Sequence, residues 1–200
     1  MGGSDEADSL FDGGKCCPDR IVTKRLIMRR PTMADAAAIT AKANNADVAR
    51  WLSRMPYPYA QEDAKRWIEW VTNPQTGECA FVICLAETGE VIGACGLEAM
   101  PDLELPQVGY WLGEPHWGKG YATEAVQALI DYVFGNTGCD AIGVGCRVAN
   151  VGSRRVIEKC GFQYAGLDMM DSRFEGAVVP VFSFKLTRRI WESLKAWAAA

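Results

Sequence analysis

Gly113, Glu114, Pro115, His116, Trp117, Gly118, Lys119, Gly120, Tyr121, Ala122, Thr123, Glu124, Ala125: this stretch turns the end of a strand through a glycine-rich loop into a helix. Before it, Gln107 to Leu112 reads as a strand; after it, Ala122, Ala125, Val126, Leu129, Ile130, Val133 and Phe134 recur at three and four. That period marks an amphipathic helix packed on a sheet. Gly118 and Gly120 clear side chains from the backbone, and a helix starting near Tyr121 aims unpaired N–H groups and its positive dipole end at the loop. The segment reads as a cradle for phosphates that needs no lysine.

Two patterns compete for this loop. As a nucleotide-binding P-loop, Gly113, Gly118 and Lys119 fit, but the next position must carry a hydroxyl for magnesium and holds Gly120. Pro115 also lacks the backbone donor that such a loop works with. The other pattern is the acyl-coenzyme A loop of the GNAT N-acetyltransferases, which Trp117, Gly118, Lys119, Gly120, Tyr121 and Ala122 resemble, with Trp117 in place of the leading Gln or Arg. Thr123, Glu124 and Ala125 resemble the ribosomal-protein N-terminal (RimJ/RimL-like) branch. A second motif follows a further strand: Asn150, two residues, Ser153, a helix, then Lys159, Cys160, Gly161 and Phe162. Together with Thr23–Arg30 and the strand Gly109, Tyr110, Trp111, Leu112, the resemblance spans roughly residues 20–190.

Composition agrees with one domain. The 200 residues are 49% hydrophobic with no break in character, giving an expected leader over 1–19 and an N-acetyltransferase domain over 20–200. A net charge of −4 without a basic run argues against nucleic acid, and no apolar stretch nears the ~20 residues of a membrane span. The chain reads as cytoplasmic. Glu6 stands where a myristoylation signal wants Ser or Thr. Eight cysteines with one histidine and no two-residue cysteine spacing disfavour a metal, and Cys84, Cys95 and Cys146 read as packed thiols.

The periodicities predict a strand over Thr23–Arg30 and a helix from Thr32 and Asp35 to about Asn44. An aromatic-rich irregular segment, Asn45–Ala60, precedes a helix over Gln61–Thr72. Cys79–Ala86 and Val91–Glu98 form a predicted hairpin. Ile142, Val144, Cys146 and Val148 alternate as a strand, a helix runs from about Gly152 to Cys160, and Gly161 ends it. Phe162–Leu167 and Val178–Leu186 pair as closing strands, Pro180 suggesting an edge or bulge, before a helix with Ile190, Leu194 and Trp197. Trp191 and Trp197 suit either a monomer or a homodimer.

The resemblance implies an α/β GNAT fold, with a mixed, mostly antiparallel sheet opened into a V-shaped acyl-CoA cleft between Gln107–Leu112 and Ala141–Val148. Acetyl-CoA is the implied co-substrate, and no metal is implied. Backbone groups near Trp111 and Leu112 would pair with the pantetheine arm, and Trp117, Gly118, Lys119, Gly120, Tyr121, Ala122 and Thr123 would hold the pyrophosphate. Asn150 and Ser153 would face the thiol end, or serve as a turn and a helix cap. The side chain of Lys119 either contacts a phosphate or is solvated; His116 lies on the phosphate side and is a poor base.

The implied reaction is attack of a primary amine on the thioester. Many relatives carry a glutamate on the strand before the loop; the nearest position here is Gln107, which leaves Glu98 and Glu104 as base candidates acting through water. The tyrosine acid of some relatives is replaced by Ile157, so Ser153 is the catalytic candidate toward the departing sulfur. Deprotonating an α-amine at pH 7 costs about 1 kcal/mol against about 4.6 for lysine, so weak bases favour a protein N-terminus. A small-molecule amine, with Trp51, Tyr57, Tyr59, Tyr110 and Trp111 shaping its pocket, is the alternative within enzymes. A non-catalytic acyl-CoA sensor is the alternative outside them.

Overall fold

The computed structural model describes residues 17–76, 78–98 and 105–198, so most of the expected leader and the base candidate Glu104 lie outside the described residues. Among the described residues, eight strands form one mixed sheet: β1 (Arg20–Val22), β2 (Leu26–Arg29), β3 (Cys79–Leu85), β4 (Val91–Glu98), β5 (Gln107–Leu112), β6 (Ala141–Arg147), β7 (Gln163–Ser172) and β8 (Ala177–Thr187). Their spatial order is β1-β2-β3-β4-β5-β6-β8-β7. Every pairing is antiparallel except β5 with β6. Helices α1 (Ala36–Ala43), α2 (Ala46–Ala49), α3 (Gln61–Thr72), α4 (Tyr121–Asn136), α5 (Val151–Lys159) and α6 (Arg188–Ala198) complete the domain.

Strand alternation sorts the core onto two faces. Phe81, Ile83, Leu97, Val108 and Leu112 meet the apolar stripe of α4, Ala125, Val126, Leu129, Ile130 and Val133, on one face. Val82 and Cys84 meet Ile39, Ala43, Ala64 and Ile68 of α1 and α3 on the other. Burying such side chains contributes about 1.5–3 kcal/mol each, which fixes register because a one-residue slip would exchange the faces. Cys84, Cys95 and Cys146 are buried thiols, as their apolar surroundings predict.

Three local expectations change. The single strand over Thr23–Arg30 is a strand pair that continues back to Arg20, with a turn in which Thr23 N donates to Leu26 O at 2.9 Å. Pro180 lies in β8, an interior strand. The position is tolerated because its carbonyl accepts Val148 N at 3.3 Å, so its missing N–H faces the same side, just past the last paired residue of β6, Arg147. Third, residues 17–19 are tied to the sheet, Cys17 by a disulfide to Cys79 and Asp19 through its carbonyl, which accepts Arg30 N at 3.1 Å. Gly161 follows α5 at φ +88°, the left-handed conformation expected of a helix-ending glycine.

Candidate active site

The site is organised by the one parallel contact. Antiparallel β4 and β5 pair along six residues, whereas β5 and β6 share the single pair Gln107↔Gly143. Gly143 N donates to Pro106 O at 2.8 Å, and beyond that point the strands part. The glycine is required there: a Cβ at 143 would stand 2.3 Å from Gln107 Nε2. The closed end of the V thus lies at Gln107, and its open end at Leu112, where the glycine-rich loop begins.

Backbone alternation decides which groups line the V. Gly113 N donates to Ile92 O at 2.9 Å, so Trp111 and Gly109 also turn their N–H and C=O toward β4, and Tyr110 and Leu112 turn theirs toward β6. The free edge therefore belongs to Tyr110 and Leu112; the Trp111 backbone, expected to pair with the arm, is turned to β4, and its side chain packs against the α1/α3 core. Leu112 O already accepts Trp117 Nε1 at 2.7 Å, a bond that pins the Trp117 indole across the start of the loop.

At the open end, Gly118 and Gly120 adopt φ +71° and +80°, values that L side chains rarely take. The first intrahelical bond of α4 is Glu124 N to Gly120 O at 3.1 Å, so the amides of Tyr121, Ala122 and Thr123 point outward without helical partners. Arg25 and Glu124, neither of them read as a site residue from the sequence, complete this end. Arg25, from the β1–β2 turn, donates from Nε to Glu124 Oε2 at 2.6 Å and from Nη1 to Lys119 O at 3.0 Å, and it lies 4.7 Å above the Tyr121 ring. Glu124 also accepts Thr23 Oγ1 at 2.7 Å and Arg25 N at 2.8 Å. Burial pushes the Glu124 carboxyl upward, and these donors outweigh it and hold its pKa below the usual range. Only the turn, invisible in the periodicity, could have revealed this clasp. His116 is buried, with Nε2 3.5 Å from both Glu90 Oε1 and Lys42 Nζ, and burial lowers its pKa.

At the start of α5, Asn150 Oδ1 accepts Ser153 N at 3.0 Å, the bond of a helix cap. That frees the Ser153 hydroxyl, which lies 2.8 Å from Tyr110 Oη across the V. Tyr110 belongs to the α4 side of the sheet with this serine, away from Trp51 and Tyr57. Burial pushes its phenol above the ordinary range. Ile157, where some relatives carry tyrosine, is fully buried in the same core.

The opposite face carries the carboxylates. Glu98 Oε1 accepts Arg54 Nη2, and a Cβ at Gly109 would lie 3.8 Å from that oxygen, so Glu98 stands over the glycine beside the point of splay. Glu78, unnoticed in the sequence, precedes the pair Cys79↔Leu97 and so stands opposite Glu98. Burial, then the charge of Glu98, raises its pKa to about 7. Next to them opens a cavity of about 590 Å³ lined by Ser53, Arg54, Asp171, Ser172, Arg173 and Gly176–Val178. Its two walls are joined: Arg173 N donates to Ser53 O at 2.9 Å, and the Tyr57 and Phe174 rings are 5.7 Å apart. Trp51 lies under Arg50 and Arg147, at 5.4 and 5.9 Å. Tyr59 is not brought to this surface; at 6% exposure it packs among Ile39, Ala64 and Ile68. Among the described residues no cluster suited to a metal ion occurs, and no helix is long and apolar enough to cross a membrane.

The family described as Acetyltransferase (GNAT) domain matches residues 25–163. An uncharacterised N-acetyltransferase, p20 of Bacillus licheniformis, is 31% identical over 175 residues, 86% of this chain and 97% of that protein. The ribosomal-protein-serine acetyltransferase of Escherichia coli is 27% identical over 108 residues, 54% of this chain and 60% of that protein. Among solved structures, Mycobacterium smegmatis RimJ in complex with CoA-disulfide superposes with a TM-score of 0.74 at 24% identity, covering 85% of this chain and 88% of that one.

Proposed function

Because this chain belongs to the GNAT family of acetyltransferases and is an acetyl-CoA-dependent acyltransferase, we propose that its acceptor is the α-amine of a protein or peptide N-terminus. The observation that carries this reading is the position of Glu98. It stands over Gly109, where β5 and β6 part, and beside an open cavity of about 590 Å³ rather than a closed pocket. An extended chain end can enter such a mouth with its amine foremost. The ribosomal-protein-serine acetyltransferase among the relatives supports the same class of acceptor.

In the mechanism that follows, pyrophosphate binds the outward amides of Tyr121–Thr123, and the pantetheine arm lies along the free edge of Tyr110 and Leu112 as an added strand. Its thioester then reaches the closed end of the V. The amine enters from the face of Glu98 and loses its proton to that carboxylate, directly or through one water. Arg54 orients the carboxylate, and Glu78 behind it has a proton affinity matched to neutral pH. The amine nitrogen attacks the carbonyl carbon, the Tyr110 N–H steadies the developing oxyanion, and collapse breaks the C–S bond toward Ser153.

Steady-state assays with acetyl-CoA should show kcat/KM highest for a Ser- or Ala-starting peptide, compared with a lysine ε-amine and a small diamine. Exclusive turnover of lysine would sink the argument. Exclusive turnover of the diamine would point to a small-molecule enzyme. Glu98→Gln should lower kcat/KM for the peptide about 100-fold while leaving CoA affinity within about twofold.

A further inference from the structure

Ile157 removes the proton donor that the departing sulfur would otherwise meet, yet the structure places another phenol across the V. Tyr110 projects from β5 and Ser153 lies in the first turn of α5, with 2.8 Å between Tyr110 Oη and Ser153 Oγ and 3.2 Å between Tyr110 Oη and Ser153 O. We infer that Tyr110 is a positioning residue that orients the Ser153 hydroxyl as a hydrogen-bond donor toward the sulfur of coenzyme A. The inference rests on the acyl-CoA placement above and concerns only what holds the leaving thiolate.

One phenolic proton and two serine oxygens allow two arrangements of the pair, and the Cys146 thiol, which also hydrogen-bonds the Ser153 side chain, is the protein group that competes with the sulfur for the serine proton. In the first, Tyr110 donates to Ser153 O and accepts from Ser153 Oγ, so the serine proton is consumed within the pair. In the second, Tyr110 donates to Ser153 Oγ, and the serine proton is free to point into the cleft. A sulfur gathering negative charge selects the second, because each donor in such a chain strengthens the next. Ser153 N is independently fixed by Asn150 Oδ1 at 3.0 Å, so the serine enters the pair with its backbone already set.

Proton and electron accounting fits this role. As the C–N bond forms and the C–S bond breaks, sulfur keeps the bonding pair and the amine proton remains on the Glu98 side. Tyr110 does not surrender its proton: burial holds the phenol well above a thiol of about 8.5, so transfer would run uphill. It supplies a persistent donor instead. The thiolate is stabilised by a hydrogen bond and leaves as such.

The test needs no acceptor. Binding of coenzyme A and of desulfo-coenzyme A is measured by calorimetry between pH 6 and pH 9 for the wild type, Tyr110→Phe and Ser153→Ala. If the pair lowers the bound thiol by one tenfold step in proton affinity, coenzyme A should tighten about eightfold relative to the desulfo compound over this range. Both variants should lose that gain, the double variant should lose no more than either, and all should bind the desulfo compound within about twofold. An equal pH response in Tyr110→Phe and wild type overturns the inference while leaving the acyl-CoA site standing. No binding of either compound to the wild type overturns the site itself, and additive losses in the double variant overturn the relay.

Discussion

Replacing Glu78 by Gln should make the protein more stable at pH 8 and leave it nearly unchanged at pH 5. Burial, and then the charge of Glu98, raises this carboxyl from an ordinary 4.5 to about 7, so the folded state holds its proton more tightly than the unfolded chain does. A group raised in this way contributes fully below its unfolded value and loses that contribution as pH climbs through the folded value. Each tenfold change in proton affinity is worth about 1.4 kcal/mol, which sets an upper bound of about 3.4 kcal/mol. Glu78 keeps contact with solvent and Arg54 lies nearby, so screening reduces the expected gain of Glu78→Gln at pH 8 to about 1.5 kcal/mol. Urea unfolding of both proteins at half-unit steps from pH 5 to pH 8 measures it, and the difference curve cancels the titrations that the Glu78 charge does not influence. Parallel curves across the window would refute the argument that Glu78 is strained by burial beside a like charge.

The loop end gives two further expectations. Gly120→Ala forces an L residue to φ +80° and brings a Cβ to 3.4 Å from Arg25 Nη2; calorimetry should show acetyl-CoA binding at least about tenfold weaker, and unchanged affinity would remove Gly120 from the cradle. Glu124→Gln takes the charge from bonds of 2.6, 2.7 and 2.8 Å and should cost about 1.5–3 kcal/mol by urea unfolding at pH 7. Because the folded carboxyl titrates below its unfolded value, that contribution is present above the ordinary carboxylate range and fades as the solution is acidified, so the two proteins should converge at low pH. A gap that does not narrow would assign the loss to shape rather than charge.

Periodicity made much of the fold legible. The stripe on α4, the alternation in β6 and the glycine pair of the loop are local signals, and Gln61–Thr72 and Gln107–Leu112 occur with the bounds their patterns imply. What escaped was set by distance in the chain. The Arg25–Glu124 clasp joins residues 99 apart, and no window of sequence shows that a turn at Thr23 will meet a helix start. Glu78 stayed hidden because its proton affinity comes from a cross-strand neighbour and from burial, neither of which is written at position 78. Tyr59 and Tyr110 share composition with the acceptor loop and strand, but one side chain turns into the α1/α3 core and the other crosses to α5. Pro180 misled through a sound rule, since its missing donor falls where the neighbouring strand has already ended.

The lone pair Gln107↔Gly143 leaves the sheet as two half-sheets whose hydrogen-bond ladder is almost interrupted, with α4 packed beneath the join. A ligand arm that fills the gap would be a structural member as well as a cargo: its arrival would join two ladders into one. Opening motions of the β6-β8-β7 half would then be damped most by whatever occupies the gap, and amides along β6 would report occupancy through slowed hydrogen exchange before any chemistry occurs.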